Sequence, residues 1–77
     1  MNRETVKNSI AKFLKVPATR LADESLVLTD LVQESFILIE LVIELQEEFK
    51  VRLHQEDLEE VKTLGHLLDV LEKKHNS

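Results

Sequence analysis

Residues 31–45, LVQESFILIELVIEL, decide the architecture of this chain. Ten of its fifteen residues are apolar, and it contains no proline or glycine to break a helix. Placed on a wheel at about 100° per residue, positions 36–49 divide their apolar side chains between two faces. Leu38, Leu41, Val42, Leu45 and Phe49 gather on one side, as a core stripe does. Phe36, Ile39 and Ile43 gather nearly opposite, with Glu40, Glu44 and Glu47 flanking them. The pattern predicts a helix over 35–50 with Ser35 at its N-cap, where a serine oxygen accepts a first-turn N–H. Leu38 at the third helical position leaves that cap without a reciprocal capping box.

The chain has 77 residues, enough for one domain over 1–77 and too few to bury both faces of such a helix. Leaving the second stripe in water forgoes roughly 1.5–3 kcal/mol per large apolar side chain. Three arrangements account for it. The stripe is a docking surface rimmed by carboxylates, or the preceding connection folds over it, or two copies pair through it.

Three further segments have helical spacing. Val6, Ile10, Phe13 and Leu14 share one face, with Asn2 as N-cap, Glu4 in the first turn and Pro17 as the stop. Residues 55–61, QEDLEEV, form a short helix with Leu58 and Val61 inward. Residues 63–74 form the last helix: Thr63 caps it, Leu64, Leu67, Leu68 and Leu71 make its buried stripe, and Lys73 and Lys74 suit its C-terminal dipole. Residues 16–34 read as one long connection, in which Leu21, Leu26, Leu28 and Leu31 pack down on the core. The fold class is all-α, a small four-helix bundle of three longer helices and one short one.

Composition excludes several functions. The net charge of −5 disfavours nucleic acid, whose phosphates need a concentrated cationic surface, and favours basic protein surfaces reached by electrostatic steering. No cysteine is present, so any thiol chemistry needs an attached cofactor. His54, His66 and His75 are not at metal-ligand spacing, and His66 with Asp69 one turn later reads as a surface pair. No uncharged stretch approaches the ~18 residues that span a membrane, and the N-terminus lacks the apolar core of a signal peptide. The expectation is a soluble, cytoplasmic monomer. A serine hydrolase is disfavoured because no His–Asp arrangement is visible near Ser35.

The order of the parts resembles the acyl carrier protein family over nearly the whole chain. That family typically has Gly-x-Asp-Ser-Leu at the head of its second helix and a Glu-rich end closed by Phe. Here the matching stretches are Val32-Gln33-Glu34-Ser35-Phe36 and Glu47-Glu48-Phe49. The resemblance implies that Ser35 carries 4′-phosphopantetheine, taken from coenzyme A, and that the arm's thiol holds acyl groups as thioesters. It implies a carrier rather than an enzyme, serving fatty-acid, lipid or polyketide-type biosynthesis. Its partners would be a phosphopantetheinyl transferase and acyl-loading, elongating and acyl-transferring enzymes with basic patches. Phe36, Ile39 and Ile43 would be the apolar contacts for them, and Glu40, Glu44 and Glu47 the electrostatic rim. Three departures point to a specialised member with dedicated partners: Val32 for glycine, Glu34 for aspartate, and Ile37 where an acidic residue is common. The alternatives are a peptidyl carrier of the same fold and an unmodified helical adaptor in which Ser35 is only a cap.

Overall fold

The first helix, α1, spans Arg3–Leu14, and its start follows the sequence: Asn2 Oδ1 accepts the Glu4 N–H at 2.7 Å. Its end does not. The chain leaves the helix at Lys15, in the left-handed region at φ 60°, and the Val16 N–H closes on the Ala11 carbonyl at 3.0 Å. Pro17 therefore follows a termination already made, rather than causing it. The computed structural model describes residues 2–76. After α1 come α2 at Ser35–Phe49, α3 at Gln55–Glu59 and α4 at Leu64–His75. The third element is thus shorter than the predicted 55–61, and no strand occurs among the described residues.

The core forms where three amphipathic stripes meet. Val6, Ile10 and Ala11 of α1, Leu41, Val42 and Leu45 of α2, and Leu64, Leu67, Leu68 and Leu71 of α4 are buried together. Phe13, Leu14, Leu38, Phe49, Leu58 and Val61 lie half-buried against them. All of these except Ala11 have the spacing of an inward stripe, because a stripe about 100° wide has one way to leave water; Ala11 is an addition made by the packing.

The connection between α1 and α2 departs from its reading. It contains a 3-10 turn, Ala18–Arg20, and a π turn, Val27–Leu31, closed by the Val32 N–H on the Val27 carbonyl at 2.8 Å. Leu21 is buried and Leu31 half-buried, as expected, but Leu26 and Leu28 face solvent. Val27 and Val32 are the buried anchors in their place. The wide π turn brings residues five apart to one side, a period that neither helical nor strand templates detect. Val32 is extended at φ −128°, so this backbone needs no glycine there, and its side chain is only 3% exposed.

Backbone hydrogen bonds clamp the connection onto α4. Leu64 N–H donates to the Ser25 carbonyl at 2.9 Å and Gly65 N–H to the Asp23 carbonyl at 2.8 Å. A Cβ on Gly65 would stand 3.1 Å from that same carbonyl oxygen, so the close approach favours the glycine that the helix itself disfavours. Ion pairs complete the clamp. Arg3 reaches Asp69 at 2.9 Å and Glu72 and Asp23 at 3.6 Å, and Lys7 reaches Asp23 at 2.7 Å. Asp69 therefore pairs with Arg3, not with His66. Instead His66 Nδ1 accepts the Lys62 and Thr63 N–H groups, while Thr63 Oγ1 accepts the His66 N–H at 3.2 Å. A histidine thus fills the place that Glu or Gln holds in an ordinary capping box.

Two stability predictions arise here. Lys50 ends α2 at φ 56°, a left-handed geometry that costs a non-glycine residue about 1–2 kcal/mol. Glycine would relieve that but give back about 0.4–1 kcal/mol of unfolded-chain entropy. Lys50→Gly is therefore expected to stabilise by about 0.5 kcal/mol in urea unfolding. The second concerns Asp57, whose carboxylate accepts the His54 N–H at 2.9 Å and pairs with Lys74 at 3.3 Å. The His54 hydrogen bond chiefly, and Lys74 beside it, hold its carboxyl below the ordinary range. A folded value below the unfolded one gives stability that is present above the unfolded pKa of about 3.9 and is lost as pH falls through the folded value. Asp57→Asn should be less stable than the parent at neutral pH, and the gap should close in acid. Thermal unfolding of both proteins from neutral pH down to pH ~2.5 checks this.

Candidate functional site

The N-cap of α2 lies one residue earlier than expected. Glu34 is the N-cap residue, at φ −131° and ψ 137°, and no side chain caps the helix there. Ser35 is the first residue inside the helix, so its expected role as N-cap is corrected. It is exposed, and its hydroxyl has no hydrogen-bond partner among the described residues. The other described serines are engaged: Ser9 Oγ donates to Glu48, and Ser25 Oγ accepts the Ala22 N–H at 3.3 Å. Ser77 lies outside the described residues. Ser35 thus combines an accessible nucleophilic oxygen with a helix N-terminus whose first N–H groups lack a side-chain acceptor.

The second apolar stripe is uncovered. Phe36 and Ile39 are each 56% exposed and Ile43 48%. Neither the connection nor any other described element hides them, so the expectation that the connection folds over them is set aside. Glu40, Glu44 and Glu47 are exposed beside them, as the wheel placed them. Ile37, which stands where the family often has an acid, is half-buried rather than added to the open stripe. Beside Ser35, a groove of about 510 Å³ opens between α2 and the segment leading through α3, walled by Leu38, Val42, Leu53 and Leu58. Its base is braced by Gln46, whose Oε1 accepts the Leu53 N–H at 2.8 Å.

The exposed Ser35 hydroxyl at a helix start offers an oxygen that can form a phosphodiester, with an apolar groove and an acid-rimmed apolar stripe beside it. Residues 4–71 match the family described as the phosphopantetheine attachment site. The chain belongs to that family. Its relatives include an acyl carrier protein of Thermotoga maritima, 33% identical over 69 residues that cover 90% of this chain and 85% of the relative. An acyl carrier protein of Clostridium acetobutylicum is 34% identical over 68 residues, 88% of each chain. Another, of Saccharopolyspora erythraea, is 33% identical over 67 residues, 87% of this chain and 70% of its own.

The cofactor of this phosphopantetheine-attachment domain is covalently bound 4′-phosphopantetheine. It supplies the thiol on which an acyl group is held, in a chain that has no cysteine. The residues present fit it: a phosphodiester on the Ser35 oxygen would lie against uncapped N–H groups and the positive end of the α2 dipole. Among the described residues no helix is long and apolar enough to cross a membrane, and no three His, Asp or Glu side chains gather to hold a metal ion.

Two features of this surface escaped the sequence reading. Glu48 bonds across to Ser9 on α1, and a second groove runs between those helices. Neither is legible from a wheel of α2 alone, because both depend on which helix packs alongside.

Proposed function

We propose that this protein is an acyl carrier in which Ser35 bears the 4′-phosphopantetheine arm. The arm's thiol holds an acyl group as a thioester, and the protein presents it to partner enzymes without catalysing a reaction itself. The observation that carries the reading is the Ser35 hydroxyl, exposed and unbonded at the head of α2. Phe36, Ile39 and Ile43 are the apolar docking contacts, and Glu40, Glu44 and Glu47 steer basic surfaces toward them. The same rim disfavours pairing of two copies through the stripe, since that would set carboxylate against carboxylate, so the carrier acts as a monomer. The partners are a phosphopantetheinyl transferase and enzymes that load, elongate or transfer acyl groups in fatty-acid, lipid or polyketide-type biosynthesis. The groove beside Ser35 offers the cargo an apolar wall.

The test is incubation with coenzyme A and a broad-specificity transferase, followed by intact mass and peptide mapping. A phosphopantetheine adduct on Ser35 supports the reading. An unchanged mass with a transferase that loads a control carrier overturns it in favour of the unmodified adaptor. Docking makes its own prediction. Glu40→Lys with Glu47→Lys is expected to slow acyl transfer about tenfold or more at low ionic strength while the fold persists. Rising salt should produce the same slowing in the parent, because exposed charges are screened within about 8 Å at physiological ionic strength. Transfer kinetics that ignore both changes would count against steering by the rim.

A further inference from the structure

We infer that the groove between α1 and α2 is a second docking surface, one that receives a cationic amphipathic helix of a partner protein. The inference extends the reading of α2 as a docking helix, and it adds a face of α1 that the Ser35 site does not use.

The groove has a volume of about 990 Å³ and is largely open to solvent. Phe13, Leu41 and Leu45 form its apolar floor. Glu40, Glu44 and Glu48 line one rim, four residues apart and so about 6 Å apart along the helix axis. No ion pair among the described residues involves these three carboxylates, whereas Asp23, Asp57, Asp69 and Glu72 are each met by Arg3, Lys7 or Lys74. The rim therefore carries uncompensated negative charge beside an apolar trough.

An occupant must bring cations at that same repeat and an apolar row beneath them. A helix with Lys or Arg at every fourth position and Leu-like residues on the adjoining face has both. On the opposite rim Lys12 stands with Thr5 and Asn8, so an acidic residue of the incoming helix would face Lys12 and set its direction. A second copy of this chain fits poorly. Two chains of net charge −5 repel. Anionic ligands are repelled by the same glutamates.

The probe is a synthetic helical peptide of about 14 residues with Lys at every fourth position and Leu on the adjacent face. Its control has Glu for every Lys. Each is titrated into the ¹⁵N-labelled full chain and followed by amide chemical shifts. The expected result is saturable shifts at Thr5, Ser9, Phe13, Glu44 and Glu48 with the cationic peptide and none with the control. Thr5→Arg with Asn8→Arg, two exposed α1 positions, should weaken binding at least tenfold and leave transferase loading of Ser35 unchanged. If that pair fails to fold by circular dichroism, Glu44→Lys makes the same demand on binding. Shifts confined to Phe36, Ile39 and Leu58, equal binding of the control, no binding, or indifference to these variants would each overturn the proposal. Ser35→Ala should bind the peptide as the parent does. A groove that binds while Ser35 resists loading would sink the carrier reading alone, and a loaded Ser35 with an empty groove would sink this one alone.

Discussion

Ser35→Ala is expected to abolish phosphopantetheine loading completely while leaving the unfolding temperature nearly where it was. The hydroxyl is the only part removed, and in this protein it holds nothing: it accepts no first-turn N–H and donates to no neighbour among the described residues. Alanine suits a helix interior at least as well as serine, so the stability change should stay within about 0.5 kcal/mol. Loading, by contrast, needs an oxygen to form the phosphodiester, and no residual level is expected. Thr63→Ala is the informative comparison. Thr63 Oγ1 does cap α4, through the His66 N–H at 3.2 Å, so its removal should cost about 1 kcal/mol and leave loading intact. Intact mass after transferase treatment, with thermal unfolding of both variants, separates a tether from a cap. A Ser35→Ala protein destabilised as much as Thr63→Ala would show that the serine holds the helix after all.

Leu71→Ala should have the opposite profile, with Ser35 untouched and a fold that barely survives. Leu71 is 0% exposed, on the α4 stripe buried with α1 and α2. Truncating such a leucine costs about 2–5 kcal/mol through lost burial and the cavity left behind. A core this small rarely supplies more than about 3–5 kcal/mol of net stability, so one methyl-rich side chain is comparable to the whole. At about 4–8 °C per kcal/mol for a domain of this size, the unfolding temperature should fall by at least about 8 °C. Ile43→Ala, a truncation of the same three carbons at a side chain 48% exposed, should change stability far less and fall on docking instead. Calorimetry on the two variants tests the division of α2 and its neighbours into a face that folds and a face that binds.

That division was half legible in advance. The wheel put Phe36, Ile39 and Ile43 opposite Leu41, Val42 and Leu45, and the structure keeps them there. It could not say which face, if either, a neighbour would cover. The cap of α2 lies one residue before the serine that residue preference selects: serine is a favoured N-cap and glutamate is not, and only the backbone angles put the cap at Glu34. In the connection, Leu26 and Leu28 were assigned inward on hydrophobicity alone. The π turn sends them out and draws Val27 and Val32 in.

What the amino-acid order determined alone was the inventory: helices with one core stripe each, an acidic surface, and a serine heading the greasiest helix. These are local properties, set by a 3.6-residue period and by charge, and they do not depend on what lies nearby. Tertiary structure decided how they are used. It left the stripe of Phe36, Ile39 and Ile43 in solvent, freed the Ser35 hydroxyl, and opened a groove where α1 meets the Glu40–Glu44–Glu48 edge. Burial and bonding belong to pairs of elements, and no single helix carries the identity of its neighbour.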